Sequence, residues 1–296
     1  MNVLNHKLKN VITNDLSEIF NFFSKLVLPV VLVSFLTSCS DENDSVETEE
    51  QQLEYAEVLL ESQMDLASES IDDIAIAVYE TQEASEENRN ATNFNLPDCA
   101  TVTLVLEQNF REITIDFGVE GCEVNGNILK GQIILTYNRN PEIQQVFISK
   151  SLVDFYFNAL SIEGTKTFLK QFSNENGNPQ FTKTLDITVL WPNGTQAMRE
   201  GTKIREWIEG VGSGVFSDNV FSVTGNWTAT FVNGNTHSYE VIIPLRREVI
   251  CTYFVSGSID VERTNFSGVF NYGEGDCDNQ ATFTFDNGDE VNITLN

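Results

Sequence analysis

Between Gln51 and Glu80 the apolar residues Leu53, Ala56, Leu60, Met64, Ala67, Ile71, Ile74 and Val78 recur at steps of three and four. That spacing predicts an amphipathic helix. No proline or glycine interrupts it, and the opposite face is acidic. The stretch "SESIDD" offers an N-cap at Ser70, so one long helix and a pair joined near Ser68 both fit. Such a helix can pack on the domain that follows it, or act as a coiled-coil or partner-binding surface.

After the polar linker "EASEENRNATN" the period changes from helical to alternating. "ATVTLVLEQ", "REITIDFG", "KGQIILTYN", "KTLDITVLW", "NVFSVTGNWTATFVNG", "HSYEVIIPL" and "ATFTFDNGDEVNITL" alternate apolar with polar residues and are rich in Val, Ile, Thr, Phe and Tyr. Alternation puts one face of each strand in a core and the other in water, the habit of antiparallel sheets. Asn125-Gly126, Asn176-Gly177, Asn193-Gly194, Asn233-Gly234 and Asn287-Gly288 mark turns, since Asn-Gly tolerates the positive φ of two-residue hairpin loops. The expectation is a mainly β fold, an antiparallel β-sandwich or meander of about ten to thirteen strands, preceded by an N-terminal amphipathic helix or helix pair. No βαβ alternation occurs, which argues against a parallel sheet.

Upstream, Leu26–Leu36 is apolar apart from Pro29 and Ser34. As a helix it spans about 16 Å, too short for a hydrocarbon core of about 30 Å. It fits the apolar region of a signal peptide, with Lys25 as its positive flank. Leu36-Thr37-Ser38-Cys39 resembles the lipobox of bacterial lipoproteins. That resemblance implies cleavage before Cys39 and lipidation of its thiol. The following "SDENDS" resembles the acidic export signal of surface lipoproteins in Bacteroidota, and also suits a solvated spacer. Asp44-Ser45-Val46 resembles the O-glycan acceptor motif of the same bacteria. The chain therefore divides into a signal peptide (1–38), an acidic tether (39–50), a helical segment with linker (51–90) and a β-rich domain (91–296).

Without residues 1–38 the chain keeps 14 of its 17 basic and 42 of its 44 acidic residues, a net charge of −28. Residues 40–90 hold 17 of those acids and one base. This balance repels nucleic acid and anionic lipid head groups, so a nucleic-acid partner is not expected. Four cysteines follow the anchor, and an even count in an exported chain reads as a disulfide framework. Cys99 with Cys122 and Cys251 with Cys277 are the expected pairs, each close in sequence and alike in context. Each closes a loop of about 25 residues, worth roughly 3 kcal/mol in the chain-entropy model. "ITIDFGVEGC" ending at Cys122 echoes "GVFNYGEGDC" ending at Cys277, as if one disulfide-pinned hairpin were used twice. Zinc is disfavoured, because no Cys-x-x-Cys occurs.

"CATVTL", "ITIDFGVEGCEVNGNILKGQIILTY", "IEGTKTF" and "CTYFVSGSIDVE" with "YGEGDCDNQATFTF" together resemble a recurrent group of uncharacterised Bacteroidota lipoproteins over most of residues 50–296. The resemblance implies a secreted, β-rich lipoprotein and brings no catalytic residues with it.

Chemistry is sparse. His237 is the sole histidine beyond the signal segment; its place after a predicted turn suggests a surface position rather than a catalytic triad. Glu120, Glu123, Glu274 and Asp276 sit at turns and are the carboxylates that a glycoside hydrolase would draw on. Glu274, Asp276 and Asp278 lie within five residues, and Asp286, Asp289 and Glu290 lie close together. Oxygen-rich loops of this kind suit calcium, and equally suit a solvated acidic turn. Trp191, Trp207 and Trp227 suit a sugar- or peptide-binding platform, Trp191 most of all because it precedes the turn "PNGT"; core packing is the alternative for such large aromatics. "REGTKIREWIEG" is the one locally basic stretch after the anchor, either a paired-charge strand face or a binding edge. The functional expectation is a lipid-anchored outer-membrane protein, surface-exposed or on the periplasmic face, binding a glycan or an envelope protein without catalysis. The alternatives are a carboxylate-based glycoside hydrolase and a hydrophobic-ligand carrier.

Overall fold

The computed structural model describes residues 49–295 apart from 88–93, 95, 141 and 265. Cys39 and the greater part of the acidic tether, with its export and glycan motifs, fall outside the described residues.

One helix, α1 (Glu49–Glu86), opens the described chain. It is single: Ser70 caps nothing, and the Ser68 hydroxyl accepts a bond from Lys166 Nζ at 2.7 Å. Without proline or glycine the helix has no reason to stop at a potential cap.

The remainder is one antiparallel sheet. Its strands are β1 (Thr101–Leu106), β2 (Phe110–Asp116), β3 (Cys122–Val124), β4 (Asn127–Asn138), β5 (Gln145–Phe157), β6 (Leu160–Gln171) and β7 (Gln180–Leu190). They continue as β8 (Gln196–Glu209), β9 (Val220–Phe231), β10 (Thr236–Glu248), β11 (Ser256–Arg263), β12 (Phe266–Glu274), β13 (Gln280–Phe285) and β14 (Glu290–Thr294). Every strand pairs with its sequence neighbours, except that β2 pairs β4 directly and short β3 caps the end of β4. The fold is thus a meander in a single sheet, not a sandwich, with 14 strands. β1 and β14 remain its two open edges.

Four of the five Asn-Gly turns are not two-residue loops. Only Asn125-Gly126 has both residues at positive φ, 50° and 79°. Around Asn193, Asn233 and Asn287 the loop has three residues, and the asparagine Oδ1 accepts the N–H two positions on. Here the side chain does the turning, and only the glycine is left-handed.

The sheet curls around α1. Residues 71–79 of the helix are buried without interruption, so every side of it is covered. A row of irregularities crosses the strands and supplies the bend: Gly131, the bulge at Asp154, Gly164, Gly201, Gly225, the shifted register of β10, then Gly257. Glycine is required there. A Cβ on Gly225 would lie 2.2 Å from the Thr202 carbonyl oxygen, and one on Gly131 2.2 Å from that of Asp154. Glycines and bulges at matching positions are what let a sheet fold over on itself.

The disulfides Cys99–Cys122 and Cys251–Cys277 both form, with sequence separations of 23 and 26. The first ties the two ends of the β1–β2 hairpin, the second those of β11–β12. The echo in sequence is an echo in structure.

Candidate functional site

The inner face of the sheet carries its charge inward. Lys150, Lys166, Lys170, Lys183, Arg199, Lys203, Arg205 and Arg247 are buried, as is His237. Each shares strand parity with core residues such as Phe168, Phe181, Leu185 and Trp207. Lys150 stands directly opposite Lys166, and Lys183 opposite Lys203. Like charges in such positions repel. The acidic stripe of α1 answers them. Asp72 bonds Lys150 and Lys183 and lies 3.8 Å from Lys166. Glu69 accepts from Lys183 at 2.6 Å and lies 3.5 Å from Lys203.

The ladder continues in both directions. Asp65 takes Arg199 and Lys203, and Glu61 takes Arg199 at 2.8 Å and the Trp227 indole N–H at 2.6 Å. Glu57 meets His237 Nε2 at 2.6 Å. Towards the C-terminal end Asp73 joins Arg205 and Arg247, and Glu80 joins Lys170. Glu83 accepts from Tyr137 and Arg139, and Glu86 from Arg111. Burial works against the charges of Glu61, Asp65, Glu69 and Asp72 and of the bases Lys150, Lys166 and Lys203. For Asp72 the lysines outweigh it and hold the carboxyl well below its ordinary range. Lys183, Lys203 and Arg205 do the same for Glu69. Glu61 goes the other way: burial, helped by repulsion from Asp65, pushes it up to about 7 against Arg199 and Lys203. Among the lysines, desolvation draws Lys166 far below its usual value.

Two openings reach this framework from outside. The first is a pocket of about 310 Å³ at one end of the curled sheet. The Asp73–Arg247 pair and Ser70 form part of its lining, with the half-buried Phe216 as an aromatic surface and Phe157 behind it in the core. Asn125, Asn127, Ser217 and Thr252 add uncharged hydrogen-bonding groups, and Cys251 places one disulfide at its rim. Its charges are spent internally: Asp73 bridges two arginines, and Arg247 also donates to the carbonyls of Cys251, Thr252 and Tyr253. The second is an outer groove of about 510 Å³ over the bend, lined by Glu200, Asn226, Thr228, Glu240, Asp260 and Glu262 among others. Glu240 and Asp260 face each other across β10 and β11. Burial, then repulsion by Glu262, Asp286 and Glu240, raises the Asp260 carboxyl.

The residues singled out from sequence are scattered. Trp191 is buried, its indole N–H donating to Gln63 at 2.8 Å, so it packs α1 rather than forming an exposed platform. Trp207 and Trp227 are core residues. His237 is not at the surface: it is fully buried on Glu57 and packed against the rings of Phe231 and Phe266. Glu120, Glu123, Glu274 and Asp276 are exposed and line neither opening. Glu274, Asp276 and Asp278 are exposed too, and Asp278 caps the N–H of Gln280. Among the described residues no group of three or more candidate ligands is placed to hold a metal. The basic stretch "REGTKIREWIEG" is a paired-charge strand face on β8 whose partners lie on α1. What sequence reading missed is the match itself. Its signal was present as bases on the apolar parity of strands and acids at helical spacing.

Compared with protein-family models, curated proteins and solved structures, the chain gives no match.

Proposed function

We propose that this is a lipid-anchored envelope protein, held in the outer membrane through Cys39, with a binding role and no catalysis of its own. The end pocket carries the reading. It combines the half-buried Phe216 ring with amide and hydroxyl groups, a lining suited to a neutral, hydroxyl-rich ligand such as the end of a glycan. Its only charges neutralise one another, which leaves no free acid or base for chemistry. The anchor rests on the lipobox-like Leu36–Cys39 after an apolar run. Among the described residues no helix is long and apolar enough to cross a membrane.

The interior is not the open apolar cavity a lipid carrier would need. α1 fills it, and two residual spaces beside the helix measure about 10 Å³ each. The hydrolase alternative keeps one favourable observation, the Glu240–Asp260 couple in the outer groove, whose raised Asp260 is the kind of carboxyl that donates a proton.

A glycan array probed with the full chain in detergent tests the proposal. Binding abolished by Phe216→Ala or Thr252→Val at unchanged melting temperature supports it. Turnover of a polysaccharide that is lost in Asp260→Asn overturns it in favour of hydrolysis. Cys39→Ala is expected to move the protein from the detergent phase to the aqueous phase in a partition assay.

A further inference from the structure

β1 is an unprotected edge. All six of its residues are exposed, and among the described residues it is hydrogen-bonded on one side only, to β2. "TVTLVL" contains no charge, proline or glycine, and the β1–β2 register has no bulge. Sheet edges normally carry such devices, because every second residue turns its N–H and C=O towards solvent. The opposite edge has them: β14 is five residues long, begins at Glu290 beside Asp289, and buries Ile293.

The side chains add to the backbone. Val102 and Leu104 stand opposite Ile115 and Ile113, which are fully buried, and so continue the inner apolar face. Yet Val102 is 43% and Leu104 38% exposed, and Leu106 beyond them 54%. An open ladder and an apolar strip therefore coincide on one strand.

Charge selects the occupant. Asp116 and Glu112 stand opposite Thr101 and Val105, while Asp98 and Glu107 flank the strand and are exposed. The nearby base, Arg111, is bound to Glu86. A second copy would bring acid against acid, whereas a basic segment would be complementary.

We propose that β1 docks an extended segment of a partner protein, added as a further strand, with apolar residues on Val102, Leu104 and Leu106 and lysine or arginine at its flanks. This is strand addition to a free edge, and it does not rest on the end pocket.

The probe is a short synthetic peptide of alternating threonine and valine with a lysine at each end. Its control carries glutamate at each end. Both are titrated against the full chain in detergent, following amide NMR shifts. The lysine-ended peptide is expected to shift residues 101–106 selectively and to bind about tenfold more tightly than the control. The Leu104→Ser, Leu106→Ser double variant, at unchanged melting temperature, is expected to lose that binding. No binding, or equal binding of both peptides, overturns the proposal. So does sedimentation showing a dimer that the double variant dissolves, which would assign the edge to a second copy.

Discussion

At the scale of the residue, buried charge dominates. A buried ion pair adds little over a well-packed apolar one, but stripping away one partner is costly. Asp72 compensates Lys150, Lys166 and Lys183 together. Asp72→Asn is therefore expected to destabilise the fold by about 3–5 kcal/mol, measured by urea unfolding. Asp72 and Glu69 have lowered folded pKa values. Their contribution is present above the ordinary carboxylate range and is lost as pH falls through it, so stability should collapse in acid. Glu61 has the opposite sign. Its folded value of about 7 lies above the ordinary glutamate value of 4.5. The folded state holds the extra proton between those values, so Glu61 makes stability decline as pH rises across that window. Glu61→Gln keeps an acceptor for Trp227 and should flatten the decline in melting temperature between those two pH values. His237 illustrates the limit of local reading: a lone histidine after a turn looked superficial, and only the helix passing beneath explains its burial on Glu57.

At the scale of the element, most strands and the helix were legible and their curvature was not. Alternation located eight of the fourteen strands, because period-two patterning is a local property; β5 and β6 were not among them. The sheet has 14 strands against the expected ten to thirteen, and β3, only three residues long, is too short for a period of two to show. Curvature comes from glycines inside strands, which in sequence look like ordinary weak points. Gly225→Ala is expected to prevent proper folding, since its Cβ has no room and its φ is 135°. Gly126→Ala, in an open turn with nothing within 4 Å, should be milder and limited to backbone strain. Comparing the two by chemical denaturation separates crowding from conformation. Removing Cys251 and Cys277 together should cost about 3 kcal/mol, read from the same denaturation curves.

At the scale of the whole molecule, the fold sorts charge. Among the described residues eight lysines and arginines are buried against α1, together with seven aspartates and glutamates of the helix. Others are engaged nearer the surface, Arg111 with Glu86, Arg139 with Glu83 and Arg246 with Glu248. Burial thus removes bases and acids in nearly equal number, eight against seven, so the exterior keeps essentially the whole net negative charge, which disfavours anionic partners. The sheet also depends on its helix. A chain lacking residues 1–86 would leave those bases buried without counter-charge, and is expected to lose the dispersed amide spectrum of a folded protein. Adding a synthetic peptide spanning residues 49–87 should restore it.

The sequence by itself left sandwich or meander open, and determined the β class, antiparallel pairing, the turn sites, the disulfide pairs and the helical segment. All of these follow from periodicity, backbone preference or spacing, which act over short stretches of chain. Only the tertiary structure decided that the helix lies inside the sheet, that its acids meet the sheet's bases, and that an end pocket and a bare edge result. Those outcomes need residues about 80 to 180 positions apart to be brought together, where electrostatic matching rather than local pattern selects the arrangement.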